Sequence, residues 1–201
     1  MTVSAPRLDT LLWSWLIWTA GFLAFPIAGV AGRVVAGRVD SPAAALVAGL
    51  VTGAVIGAGQ CFVSRGRLRL VPWVLATALG MGLGLLLGAT VVGFQTSLAD
   101  VAVMGALTGV VLGVAQAVAL PAQTRRRWWW AAAMPPLWAL GWMVTTLAGI
   151  PVEEQVTIFG ASGAVTFSAL SGLLLYGLLL PRPTTTPAGA ARVDASVVSK
   201  V

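Results

Sequence analysis

The chain has 201 residues, 58% of them hydrophobic and only 9% charged, with a mean hydropathy of +0.94. That is too little polar surface to cover a soluble globule of this length, so the composition is that of an integral membrane protein. With no histidine there is no haem-type or zinc-hydrolase site to assemble, and a lone Cys61 excludes an internal disulfide.

A helix needs roughly 20 apolar residues to cross about 30 Å of hydrocarbon. Six stretches qualify: 11–31, 42–64, 70–94, 101–122, 135–152 and 156–180. The first follows Arg7 and ends among small residues, as a signal peptide would, but five further spans favour a retained anchor. No Asp, Glu, Lys or Arg lies inside any of the six, which disfavours a proton-coupled pump.

The second span carries "GLVTGAVIGAGQ" (49–60), and the fourth carries "GALTGVVLGVAQ" (105–116) at a constant offset. Gly49, Thr52, Gly53, Gly57 and Gln60 recur as Gly105, Thr108, Gly109, Gly113 and Gln116. The sixth span repeats the spacing with Gly160, Ala164 and Ser168, and has Ser171 where the glutamines stand. The third span bears a zipper of Gly80, Gly84 and Gly88, and the fifth Gly141, Thr145 and Gly149. Small residues at every fourth position let helix backbones approach closely where lipid removes the hydrophobic force.

These echoes predict an all-α, six-helix transmembrane bundle of three tandem two-helix repeats. Each repeat is an aromatic helix entering the membrane followed by a zipper helix returning, with the even spans central. Gln60, Gln116, Thr52, Thr108 and Ser171 are the intramembrane polar candidates. They either clip helices together by hydrogen bonds or line a cavity open to the cytoplasm.

The charge has a side. Arg7, Arg65, Arg67, Arg69, Arg125, Arg126, Arg127, Arg182, Arg192 and Lys200 all fall on the side of the termini. That is ten of the twelve basic residues, so the positive-inside rule makes both termini cytoplasmic. In the loop before span five, "QTRRRWWWAAAMPP" (123–136) sets Arg125, Arg126 and Arg127 against Trp128, Trp129 and Trp130. With Trp73 these are expected to be interface anchors, the arginines facing anionic headgroups and the indoles the headgroup boundary. Pro135 and Pro136 cost least in a first helical turn, so span five is expected to start there, with 127–134 along the membrane surface. The rival is one kinked helix from Arg127.

Residues 1–180 thus form one transmembrane domain and 181–201, with "PRPTTTPAGAA", a disordered cytoplasmic tail. The expected partners are the bilayer, with its anionic headgroups, and a second copy or another membrane protein. No cofactor, metal or nucleic acid is expected.

"GASG" (160–163) resembles the GxSG of rhomboid proteases, but the histidine that would activate Ser162 does not exist in this chain. "EEQVTIF" from Glu153 begins like the paired glutamates of membrane CAAX-type proteases, whose arginine and histidines are missing. Over roughly 45–180 the chain resembles bacterial multi-pass membrane proteins with repeated G-x-x-x-G-x-x-x-G-x-x-Q helices and Trp-Gly partner helices. That resemblance implies no activity. The expectation is a non-enzymatic structural or accessory subunit of the cell membrane; the alternative is a passive channel or facilitator for a small uncharged or amphipathic solute.

Overall fold

A computed structural model describes residues 8–124, 126–150 and 158–179. Among them the chain is helical throughout, without strands. The helices are α1 (Leu8–Ala20), α2 (Ala24–Ala36), α3 (Pro42–Val63), α4 (Leu70–Val91), α5 (Leu98–Ala119), α6 (Arg127–Leu147) and α7 (Ala161–Leu179). Four are long and apolar enough to cross a membrane: the run Leu11–Ala36, which joins α1 and α2 through a 3₁₀ turn at Gly21–Leu23, and α3, α4 and α5.

Local chemistry explains the boundaries. Ser41 caps α3, its hydroxyl accepting from Ala44 N at 3.3 Å, and Pro42 takes the first position, where no donor is needed. Ser97 caps α5 by accepting from Asp100 N, and its hydroxyl donates to the Asp100 carboxylate. α4 stops at Val91 because Gly93 and Phe94 turn left-handed, with Phe94 N reaching back to Ala89 O at 2.9 Å. The first run continues past residue 31 to Ala36, where Gly37 at φ +71° closes it. Arg33 therefore lies inside a helix, in its last turn, where a cation suits the helix dipole.

Span five differs most from expectation. α6 begins at Arg127, so residues 127–134 are the first two turns of the helix and both prolines lie within it. Pro135 leaves the Ala131 carbonyl without its helical donor. That carbonyl instead faces α5, close against Gly113, where a bare Cα–H approaches it. The glycine opposite makes the internal proline tolerable. The expected boundary at 152, the start of span six, Arg125, Glu153, Glu154 and the 181–201 tail lie outside the described residues.

Packing follows chain order around a ring. α2 packs on α3, α3 on α4, α4 on α5, α5 on α6 and α6 on α7, while α1 returns to α7 and closes the circle. The two halves of the first run thus bridge different neighbours. Even-numbered spans are not a central group: extensive contacts join each helix from α3 to α6 to the ones before and after it. Short loops and small residues on both sides of α4 and α5 permit this.

Glycines carry the closest approaches. A Cβ at Gly49 would lie 2.6 Å from Met81 O, and one at Gly109 2.6 Å from Met134 O. Gly80, Gly84 and Gly88 of α4 meet Leu112, Thr108 and Met104 of α5 in the same way. Each glycine replaces a side chain with backbone of the next helix. Large apolar side chains lie inside the ring. Ile56, Met81, Leu85, Met104, Leu112 and Met134 are buried, and Phe159 stacks among Phe25, Phe167, Trp138 and Trp142 with ring centroids 4.5–5.7 Å away.

Candidate functional site

Gln60 lies on α3 and Gln116 on α5, each one turn inside the basic end of its helix, and both turn toward the ring interior. The Gln116 amide nitrogen donates to Thr77 Oγ1 at 3.0 Å and lies 3.5 Å from Gln60 Oε1. Each glutamine oxygen also accepts an indole N–H from the following helix: Trp73 Nε1 to Gln60 Oε1 at 2.9 Å, and Trp130 Nε1 to Gln116 Oε1 at 3.0 Å. The two indoles meet with centroids 6.0 Å apart. A buried carboxamide needs several partners, and tryptophan supplies a donor on a large apolar body.

Trp73 and Trp130 are therefore not interface anchors: both are 0% exposed. The reason is helical phase. Because α6 already runs through 127–134, Trp130 points inward while Trp128 and Trp129, 59% and 63% exposed, point outward. Trp13 and Phe62 are exposed at the same end, beside the exposed Arg65, Arg69 and Arg126. Arg127 Nη2 donates to Ala122 O at 3.0 Å, holding the α5–α6 loop.

Two further indole N–H groups bond across helices. Trp18 Nε1 on α1 donates to Ser171 Oγ on α7 at 3.2 Å, and Trp15 Nε1 donates to Ala169 O at 2.8 Å. Nearby, the Arg67 guanidinium stands 5.0 Å over the Tyr176 ring and donates to its hydroxyl, fastening the α3–α4 loop to α7.

Of the polar candidates, the structure joins Gln60 and Gln116 and gives Ser171 to Trp18. Thr52 and Thr108 stay apart, their hydroxyls turned back to Ala48 O and Met104 O of their own helices at 2.8 Å. Thr77, Trp73, Trp130 and Trp18 are the members that sequence reasoning missed. A signal existed: a tryptophan follows each glutamine after 13 or 14 residues. Ser162, the serine of "GASG", is half-buried, and its hydroxyl oxygen, itself buried, has no hydrogen-bond partner among the described residues.

The two kinds of tryptophan should separate experimentally. Trp73→Ala is expected to cost about 3–5 kcal/mol of stability, as for other buried aromatics, whereas exposed Trp128→Ala should change it by less than about 1 kcal/mol. Thermal melts of the two variants in one detergent check this, and equal losses would contradict the burial of Trp73.

The chain was compared with protein-family models, curated proteins and solved structures, and none of the three comparisons finds a match.

Proposed function

We propose that the protein is a six-span membrane bundle with both termini in the cytoplasm, acting as a non-enzymatic structural or accessory subunit. Its units are three two-helix repeats, and in this reading each zipper helix pairs with the aromatic helix that follows it. The third pair, α7 with α1, closes across the chain termini. The recurrence of contacts supports the pairing: Gly49, Gly53 and Gly57 face 81–82, 77–78 and 74, and Gly105, Gly109 and Gly113 face 138–139, 134–135 and 131.

The observation that carries the structural reading is the burial of the zipper faces. Thr52 and Thr108, halfway along their helices on the zipper face, are 0% and 1% exposed, and Met81, Leu85, Met104 and Leu112 of α4 and α5 are buried too. Interhelical polar bonds are worth about 0.6 kcal/mol on average, and the glutamines with their indoles make several of them in one place. Outside, the arginine and tryptophan rim would meet anionic headgroups, about 1 kcal/mol per basic residue near the surface.

Single cysteines at Thr52 and Thr108 in a Cys61→Ser background test this. With a small water-soluble thiol reagent, neither should label in the folded protein and both should label after denaturation. Rapid labelling of the folded protein at both positions would instead establish a wet axis and favour a facilitator.

A further inference from the structure

The seam between α1 and α7 is closed differently from those that link α3 through α7. Where α3 meets α4, α4 meets α5 and α5 meets α6, a Cβ on glycine would strike backbone of the next helix, as at Gly49, Gly84 and Gly109. α7 meets α6 in the same way, Gly163 lying against Gly141 O, and Gly160 N donates to Thr145 Oγ1 at 3.1 Å. Against α1, a Cβ at Gly172 would instead touch indole carbons, Trp18 Cδ1 at 2.6 Å and Trp15 Cδ1 at 3.2 Å. Side chains bridge this seam, and the bonds from Trp15 to Ala169 O and from Trp18 to Ser171 Oγ cross it. No loop does, because α1 and α7 are the first and last of the described helices.

Two of the three buried side-chain polar atoms without a hydrogen-bond partner, Thr19 Oγ1 and Ser162 Oγ, belong to these two helices. Thr19 follows Trp15 by four residues and Ser162 precedes Ala169 by seven, so each shares a helix face with one end of the Trp15–Ala169 bond. Thr52, Thr77, Thr108 and Thr145 all turn their hydroxyls to the carbonyl four residues back, but Thr19 does not. It stands just before the 3₁₀ turn at Gly21–Leu23, which separates α1 from α2. Short 3₁₀ stretches inside a long helical run are frequent hinge points. Beyond the turn, α2 is held on α3, whereas α1 has its main contacts on α7. α7 itself is pinned at both ends, by Gly163 on α6 and by Tyr176 under Arg67.

We infer that α1 is a hinged strap: it closes the ring at its basic end by docking two indoles on α7, and swings from α7 about Gly21–Leu23 while α2 stays on α3. Docking leaves two hydroxyls buried without a partner, which opposes closure, and release lets water or a headgroup meet them. The released helix is suited to the membrane surface. An indole N–H that leaves Ala169 O or Ser171 Oγ finds an acceptor among the headgroups, and Trp13 of the same helix is already 61% exposed. With α1 out, the circle of helices stands open between α7 and α3 at that end.

Ser14, 9% exposed and one turn before Trp18 on the docked face of α1, reports the strap. In the purified full chain in detergent, with Cys61→Ser, a Ser14→Cys variant is expected to react with N-ethylmaleimide while folded, several-fold faster than Thr108→Cys. Trp15→Phe with Trp18→Phe removes both indole donors and keeps two aromatic rings. It should speed labelling of Ser14→Cys by about 5- to 30-fold, as for two lost hydrogen bonds, and leave Thr108→Cys protected. Ser171→Ala takes away only the acceptor of Trp18 and leaves α1 unchanged, so it carries the test if the double substitution does not fold, with a smaller acceleration in the same direction. Ser14→Cys as protected as Thr108→Cys in every background would show α1 fixed and overturn the inference. So would equal acceleration at both positions, which reports loosening of the whole bundle.

Discussion

Replacing Gly109 with valine is expected to lower the thermal midpoint in detergent by about 6–12 °C. A Cβ at that position would sit 2.6 Å from both Met134 O and Pro135 Cα, which are backbone atoms that cannot rotate aside. The helices must separate, at the upper end of the cost of overpacking, about 3 kcal/mol. For a chain of this length each kcal/mol moves the midpoint by about 2–4 °C. Separation would also expose the Ala131 carbonyl that Pro135 leaves unpaired, so packing and the proline's tolerance fail together. The neighbouring Val110 is exposed, and Val110→Leu should stay within about 0.5 kcal/mol of wild type. If Gly109→Val melts like Val110→Leu, the α5–α6 contact is looser than its geometry.

The second large effect is expected at Gln116. Gln116→Leu keeps the volume but strands the Trp130 indole N–H, buried at 0% exposure, and withdraws the donor that reaches Thr77. An orphaned buried donor costs about 1–3 kcal/mol. The smaller average for membrane hydrogen bonds pulls the expectation toward about 2 kcal/mol, or a drop of about 4–8 °C. The more decisive measurement is a double-mutant cycle with Trp130→Phe, which removes the stranded donor itself. The double variant should be less destabilised than the sum of the singles, with coupling of about 1 kcal/mol. Strict additivity would mean that the two side chains are neighbours without acting as a unit.

Both predictions concern residues visible in the sequence, yet their partners were not. Gly109 was legible as a zipper position because every-fourth small residues form a local pattern. That it faces Pro135 depended on α6 starting at Arg127, which the double proline argued against. Gln116 was legible as a buried amide. Its bond to Trp130 was hidden because a Trp beside arginines at a helix end is the usual signature of an interfacial anchor.

By itself, the sequence determined that the chain is helical and apolar enough to cross a membrane, where its glycine-rich faces lie, and where along the chain the arginines gather. These follow from run length, four-residue spacing and charge position, all of which act within one helix. The tertiary structure decided the rest: the ring order in place of a central even group, the inward turn of Trp73 and Trp130, and the pairing of α7 with α1. An indole can satisfy its N–H either at a headgroup or at a buried carboxamide. Only the rotation of each helix against its neighbour, set by where backbone meets backbone at the glycines, chooses between them.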